Sequence, residues 1–192
     1  MLTDQLLGAL QKEGKKAPAV ALLDGGDDSY WHDRAAGDWG HYVMKEAIPQ
    51  ALKVLHADPK RVAIGGISMG GFGALDLARL YPTRFCAVGG HSPALWRTGG
   101  ETAAGAFDDA ADFSRHDLFS SVQNGFRYRE PVWIDVGDED PFFAADHDFA
   151  HLVADSGSDV SMHFWSGAHN SEYWLPHMND YIDFYSNALA AC

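Results

Sequence analysis

Basic residues are scarce in this chain: 14 lysines and arginines stand against 27 aspartates and glutamates in 192 residues, a formal charge of -13. Such a surface repels phosphate backbones and anionic bilayers, which makes nucleic acid and membranes poor partners. Cysteine is scarcer still. Cys86 and Cys192 are too few for the disulfide framework of a small secreted scaffold. Cys86, in the apolar stretch 85–88, reads as a core residue, and Cys192, the last residue, as a mobile one. Long apolar runs are missing too: none is long enough to span a bilayer, and residues 1–10 lack the basic start and apolar centre of a signal peptide. No compartment follows from this.

What is present fits one domain, residues 1–192, because 46% of the chain is hydrophobic and single domains commonly run to roughly 100–200 residues. Apolar, β-rich runs alternate with helical patterns along the whole length. Strands are expected at 19–23, 62–67, 85–90, 131–136 and 160–165. Helices are expected at 2–10, 40–56, 69–80, 144–155 and about 172–189, with Pro49 dividing the second. The alternation predicts an α/β fold, a mostly parallel sheet with helices on both faces. Residues 93–128 are the least regular and read as a lid-like insertion over the carboxyl edge of the sheet, where ligands collect in such folds.

Gly66-Ile67-Ser68-Met69-Gly70 stands where a strand becomes a helix and fits the G-x-S-x-G nucleophile elbow. The flanking glycines give the strained corner its room, and the Met69 N–H, heading the helix, would face the oxygen of a reacting carbonyl. A phosphate-binding loop is the other glycine-rich possibility, but no Lys-Ser or Lys-Thr follows the glycines. A serine needs a base, and in this fold an acid and then a histidine should follow on loops after later strands. Asp140, before Pro141, suits the acid; Asp138 is its rival, and Asp135 still belongs to the strand. Among ten histidines, His169 alone occupies the loop after the last strand. His163 in the strand and His177 in the last helix read as structural. His147 and His151 are four apart on one helix, but without H-E-x-x-H they read as a solvated face, so no metal or cofactor is expected.

These segments resemble the serine esterases of the α/β-hydrolase superfamily, in the branch of esterase D, tributyrin esterases and mycobacterial mycolyltransferases. The likeness rests on the serine segment 66–75, on Gly137-Asp-Glu-Asp140-Pro-Phe, and on Gly167-Ala-His169 followed by Tyr173-Trp174; it extends from about residue 18 to the C-terminus. It implies Ser68 as nucleophile, Asp140 as acid, His169 as base and the Met69 N–H as oxyanion donor. One feature of the branch is missing, an N-terminal strand ending in a His-Gly turn that supplies the second oxyanion donor; the chain has no His-Gly dipeptide. The fold is therefore expected to be N-terminally shortened, either because the chain begins late or because Gly25 or Gly26 has taken that role. The strand at 19–23 is then expected to pair with the strand at 62–67.

The resulting expectation is a carboxylic ester hydrolase for small acyl esters working through an acyl-enzyme, with activity rising over about pH 6–8 as a histidine base loses its proton. Trp31, Trp96, Phe142 and Trp174 are candidates to line the substrate pocket. Acyl transfer to a sugar or another alcohol, and a hydrolase-like binding module without turnover, are the competing readings. The oligomeric state stays open, a homo-oligomer included.

Overall fold

The computed structural model describes residues 2–192. Met1, the start of the segment read above for a leader, lies outside them. In chain order the elements are α1 (Leu2–Glu13), the two-residue strands β1 (Asp33–Arg34) and β2 (Gly37–Asp38), α2 (Trp39–His41), α3 (Ile48–Leu55), β3 (Ile64–Ile67), α4 (Met69–Leu80), β4 (Val88–His91), α5 (Ala110–Arg115), α6 (Leu118–Gln123), β5 (Val132–Gly137), α7 (Phe143–Asp155), β6 (Val160–Trp165), α8 (Ser171–Trp174) and α9 (Met178–Ala191).

Strands β3 to β6 form one parallel sheet in the order β3-β4-β5-β6, and β1 and β2 pair as a separate antiparallel ribbon. Alternation along the strands sends side chains to two different layers. Val132 and Ile134 of β5 join Phe72, Leu75, Phe149 and Val153 from α4 and α7 in the larger core. Trp133, between them, points the other way and packs with Ala9 of α1 and with Met178, Tyr181 and Ile182 of α9. The sheet is thus covered on both faces, and its strands read as continuous apolar runs for that reason. The four strands begin in register and run in one direction, β5 and β6 two residues further than β3 and β4, so the loops after β3, β5 and β6 emerge along one edge.

Pro49 divides its helix as expected. Its missing N–H removes one helical bond, and residues 42–47 immediately before it form a π-helical turn, in which the Ile48 N–H reaches back to the Val43 carbonyl. The segment 93–128 carries α5 and α6, whose N-caps Asp109 and Asp117 accept bonds from the Asp112 and Ser120 N–H groups.

Two expectations are corrected. Residues 19–23 form no strand, so β3 is the sheet edge and the pairing of that segment with β3 does not occur. The run is short, follows Pro18 and contains two alanines, which are poor strand formers; Val20 and Leu22 stay exposed, and only Leu23 packs on the core. Cys192 is not mobile, because it is disulfide-bonded to Cys86 across 106 residues of chain. Cys86 is buried in the core as expected, at the approach to β4. The end of α9 reaches it because Arg61 grips the Leu189 carbonyl with Nε and Nη2, at 2.8 and 2.5 Å. Sequence distance concealed this closure.

Candidate active site

Ser68 occupies the corner between β3 and α4 with φ 56° and ψ −118°, a conformation that costs a side-chain-bearing residue about 1–3 kcal/mol. The surroundings fix it. Its N–H donates to the His91 carbonyl at 3.0 Å, and its own carbonyl accepts from the N–H groups of Gly71, Phe72 and Ala94 at 3.0–3.1 Å. A Cβ on Gly66 would stand 2.5 Å from the carbonyl carbon of Gly70, so the chain can turn this tightly only with glycine there.

The loop after β6 brings His169 to this corner. His169 Nε2 lies 2.8 Å from Ser68 Oγ, and His169 Nδ1 lies 2.7 Å from Asp140 Oδ2 in the loop after β5. With Nδ1–H donating to the carboxylate, Nε2 is left to accept the serine proton. The other Asp140 oxygen accepts the Phe142 N–H at 2.8 Å, which fixes the carboxylate plane; this Asp side chain is wholly buried, whereas the His169 side chain keeps 22% of its surface open. The acid and base loops are sewn together: Gly167 N–H donates to Asp138 Oδ1 at 3.0 Å, and Glu139 N–H donates to the Gly167 carbonyl at 2.9 Å. Asp138 therefore holds the loop, and Asp140 contacts the imidazole.

Met69 heads α4, where the first N–H groups lack helical partners. Gly26 donates its N–H to Asp24 Oδ1 at 3.0 Å. Gly25 stands against the six-membered ring of Trp31, whose other end covers Gly70 and Gly73 in the first turns of α4. Trp31 Nε1 is buried there with no hydrogen-bond partner among the described residues. Phe142 and Trp174 meet the His169 ring edge-on, with centroids at 5.3 and 5.0 Å, and Trp96 stands behind Phe142 at 5.8 Å. Trp174 is held by donating Nε1–H to Ser92 Oγ at 3.0 Å.

Several polar groups around Ser68, His169 and Asp140 escaped the sequence reading. Beneath the edge, Asp135 is completely buried and accepts from four side chains: His91 Nδ1 at 2.7 Å, Trp133 Nε1 at 2.6 Å, and the hydroxyls of Tyr173 and Tyr181 at 3.1 and 2.8 Å. Burial, reinforced by this carboxylate, pushes both tyrosine pKa values far up, so the hydroxyls stay donors. The pair was visible in principle, since His91 and Asp135 are register partners on neighbouring buried strands. Asp146 on α7 is the opposite case: both its oxygens are buried without a partner among the described residues, and burial, then the charges of Asp140 and Asp135, raise its pKa well above the carboxylate range. His163 stacks between Trp133 and Trp165 at 4.0 and 4.7 Å, its pKa lowered by burial, and His177 stacks on Trp165 at 3.8 Å. His147 and His151 adjoin on one helix with centroids 4.5 Å apart.

Comparison with known proteins gives a coherent picture. Residues 32–184 match the family model Esterase, described as "Putative esterase". An S-formylglutathione hydrolase of Paracoccus denitrificans (strain Pd 1222) is 27% identical over 157 residues, 78% of this chain and 56% of the relative, so the chain spans little more than half of that protein's length. A ferulic acid esterase structure superposes with TM-score 0.75 at 18% identity, covering 97% of this chain and 79% of its own. MPT51 (FbpC1) of Mycobacterium tuberculosis superposes with TM-score 0.69 at 20% identity, covering 96% and 84%. At such identities the superpositions speak for the fold, which is of the α/β-hydrolase type. Among the described residues no helix is long and apolar enough to cross a membrane.

Proposed function

The chain belongs to the Esterase family, and from that premise we propose that it hydrolyses small carboxylic esters through an acyl-enzyme on Ser68. The observation that carries the reading is the unbroken line Ser68 Oγ, His169, Asp140, with contacts of 2.8 and 2.7 Å between groups from three separate loops. His169 takes the Ser68 proton as Oγ attacks the ester carbonyl, and Asp140 holds the ring in the tautomer that leaves Nε2 free and stabilises the imidazolium. The ring then gives its proton to the departing alcohol. Water, deprotonated by the same nitrogen, releases the acid and restores the serine.

The negative charge that develops on the carbonyl oxygen is assigned to the Met69 N–H, at the positive end of α4. Gly25 is the candidate for a second donor, since the Gly26 N–H is already given to Asp24. Loss of one such donor costs roughly 100- to 1000-fold in turnover in a well-studied serine protease, so a site with Met69 alone would turn over slowly. Phe142 and Trp174, flanking the imidazole, are the walls of the acyl or alcohol pocket; Trp96 extends that wall, and Trp31 underlies the oxyanion side. Residues 93–128, which carry Trp96, are the cover of the site. The fit is to a small-molecule ester, with no cofactor in the chemistry.

Hydrolysis of p-nitrophenyl acetate and butyrate by the wild type and by Ser68→Ala tests this. We expect a burst of p-nitrophenol from the wild type and at least about a 10³-fold lower rate from the variant. Equal background rates for both proteins would leave a hydrolase-like binding module as the reading. Products formed with added alcohols distinguish acyl transfer from hydrolysis.

A further inference from the structure

Beside α4, against Phe72 and Asp76, His32, Asp112 and His116 come together in the interior. Their relative exposures are 1%, 0% and 8%, and one donor atom from each lies within 4.8 Å of the other two. His32 Nε2 is 3.1 Å from Asp112 Oδ2, His116 Nε2 is 3.8 Å from Asp112 Oδ1, and the ring centroids are 4.3 Å apart. Asp112 and His116 stand four positions apart at α5, His32 lies 80 positions from Asp112, and none of the three takes part in the chemistry above.

A neutral His32 carries one proton for two acceptor contacts, so one of them is always left without a proton. His116 Nδ1 lies 2.7 Å from Asp76 Oδ2, which claims its one proton and leaves the Nε2 lone pair aimed toward Asp112. His32 faces acceptors at both nitrogens, the Tyr30 carbonyl at 3.3 Å from Nδ1 and the Asp112 carboxylate at Nε2. If Nδ1–H serves the carbonyl, two imidazole lone pairs and a carboxylate converge with no proton among them.

A divalent cation resolves the conflict. Each ring would ligate through Nε2 while Nδ1–H donates to an outer acceptor, Asp76 for His116 and the Tyr30 carbonyl for His32, the arrangement that orients histidine ligands in metal sites. The carboxylates are themselves anchored: Asp112 by the Asp108 N–H and Arg115, both at 2.9 Å, and Asp76 by Arg79 at 2.5 and 3.0 Å. Two imidazoles and one carboxylate suit zinc rather than magnesium or calcium, which prefer oxygen ligands. Ligands about 2 Å from zinc lie roughly 3.3 Å apart, so the groups need draw together by about 1.5 Å at most.

We propose that His32, Asp112 and His116 form a binding site for one zinc-class divalent cation that staples the 93–128 segment to the loop before β1 and, through Asp76, to α4. Its effect would reach the substrate side through contact: His32 stacks on Phe107 at 5.1 Å, Phe107 meets Trp96 at 6.0 Å, and Trp96 meets Phe142 beside His169.

The test uses the whole chain, stripped with chelator and then titrated with zinc chloride by calorimetry and thermal melting, with metal content measured after dialysis. We expect one zinc per chain and a melting temperature raised by roughly 5–10 °C at a hundredfold excess over Kd. His32→Gln and His116→Gln should each abolish both, whereas His147→Ala/His151→Ala should keep both. Absence of zinc binding in the wild type, binding without a thermal shift, or binding that survives in either glutamine variant overturns the site. If the glutamine variants do not fold, zinc-edge anomalous scattering from wild-type crystals decides: a peak between the three side chains supports the site, and a peak elsewhere or none refutes it.

Discussion

Two regions of this molecule use the same pair of residues at the same distance for different ends. At the carboxyl edge of the sheet, His169 and Asp140 are 2.7 Å apart; beneath it, His91 and Asp135 are also 2.7 Å apart. What differs is the second nitrogen and access to water. His169 presents Nε2 to a serine hydroxyl on a partly open surface, whereas His91 Nε2 meets the Tyr185 hydroxyl at 2.9 Å in the interior, beside two tyrosines that share one carboxylate. A histidine–aspartate pair is thus a component, and its role is decided by what the far nitrogen faces. Burial raises the pKa of Tyr185 far above its ordinary value, so its hydroxyl stays protonated near neutrality.

The sharpest way to break this comparison is to neutralise each carboxylate in turn. Asp140→Asn should lower kcat for p-nitrophenyl acetate by about 10⁴-fold, because the ring loses its tautomer and the partner of its cation, with a small change in melting temperature. Asp135→Asn should do the reverse, costing about 3 kcal/mol or more in denaturant unfolding because an asparagine cannot accept from four buried donors, while kcat per folded molecule stays within about threefold. Similar losses of activity from both variants would dissolve the distinction.

A smaller effect sharpens it from the other side. Asp146 is a buried carboxyl with no partner among the described residues and a raised pKa. Between its unfolded value and the higher folded one the native state holds the extra proton, so this group's contribution falls as pH rises through that window. Asp146→Asn should therefore stabilise the protein at pH 7 by about 1–2 kcal/mol, with a gain that shrinks toward pH 4. Urea unfolding at both pH values measures it; a gain independent of pH would show that charge is not the cause.

The meeting of Ser68, Asp140 and His169 was legible because each follows a strand and carries a local signature: glycines around Ser68, a proline after Asp140, a Gly-Ala lead into His169. The core strands were legible because a parallel sheet buried on both faces demands continuous apolar runs. The sheet edge was not, because residues 19–23 are apolar enough to suggest a strand, and a strand is made by its neighbour. Neither was the Cys86–Cys192 bond, since two thiols that meet through tertiary closure leave no mark on spacing. The buried clusters around Asp135 and Asp112 eluded reading for the same reason: their histidines and carboxylates lie 44 and 80 positions apart, and only the register of β4 on β5 and the return of α5 against residue 32 unite them.

The positive φ at Ser68 has a consequence for how durable the protein can be. An achiral residue would sit at that corner without penalty, so Ser68→Gly should yield a molecule that melts later than Ser68→Ala and performs no chemistry. With Ser68 in its proposed role, reactivity and endurance are set against each other in one torsion angle, and the native chain has kept the less comfortable choice.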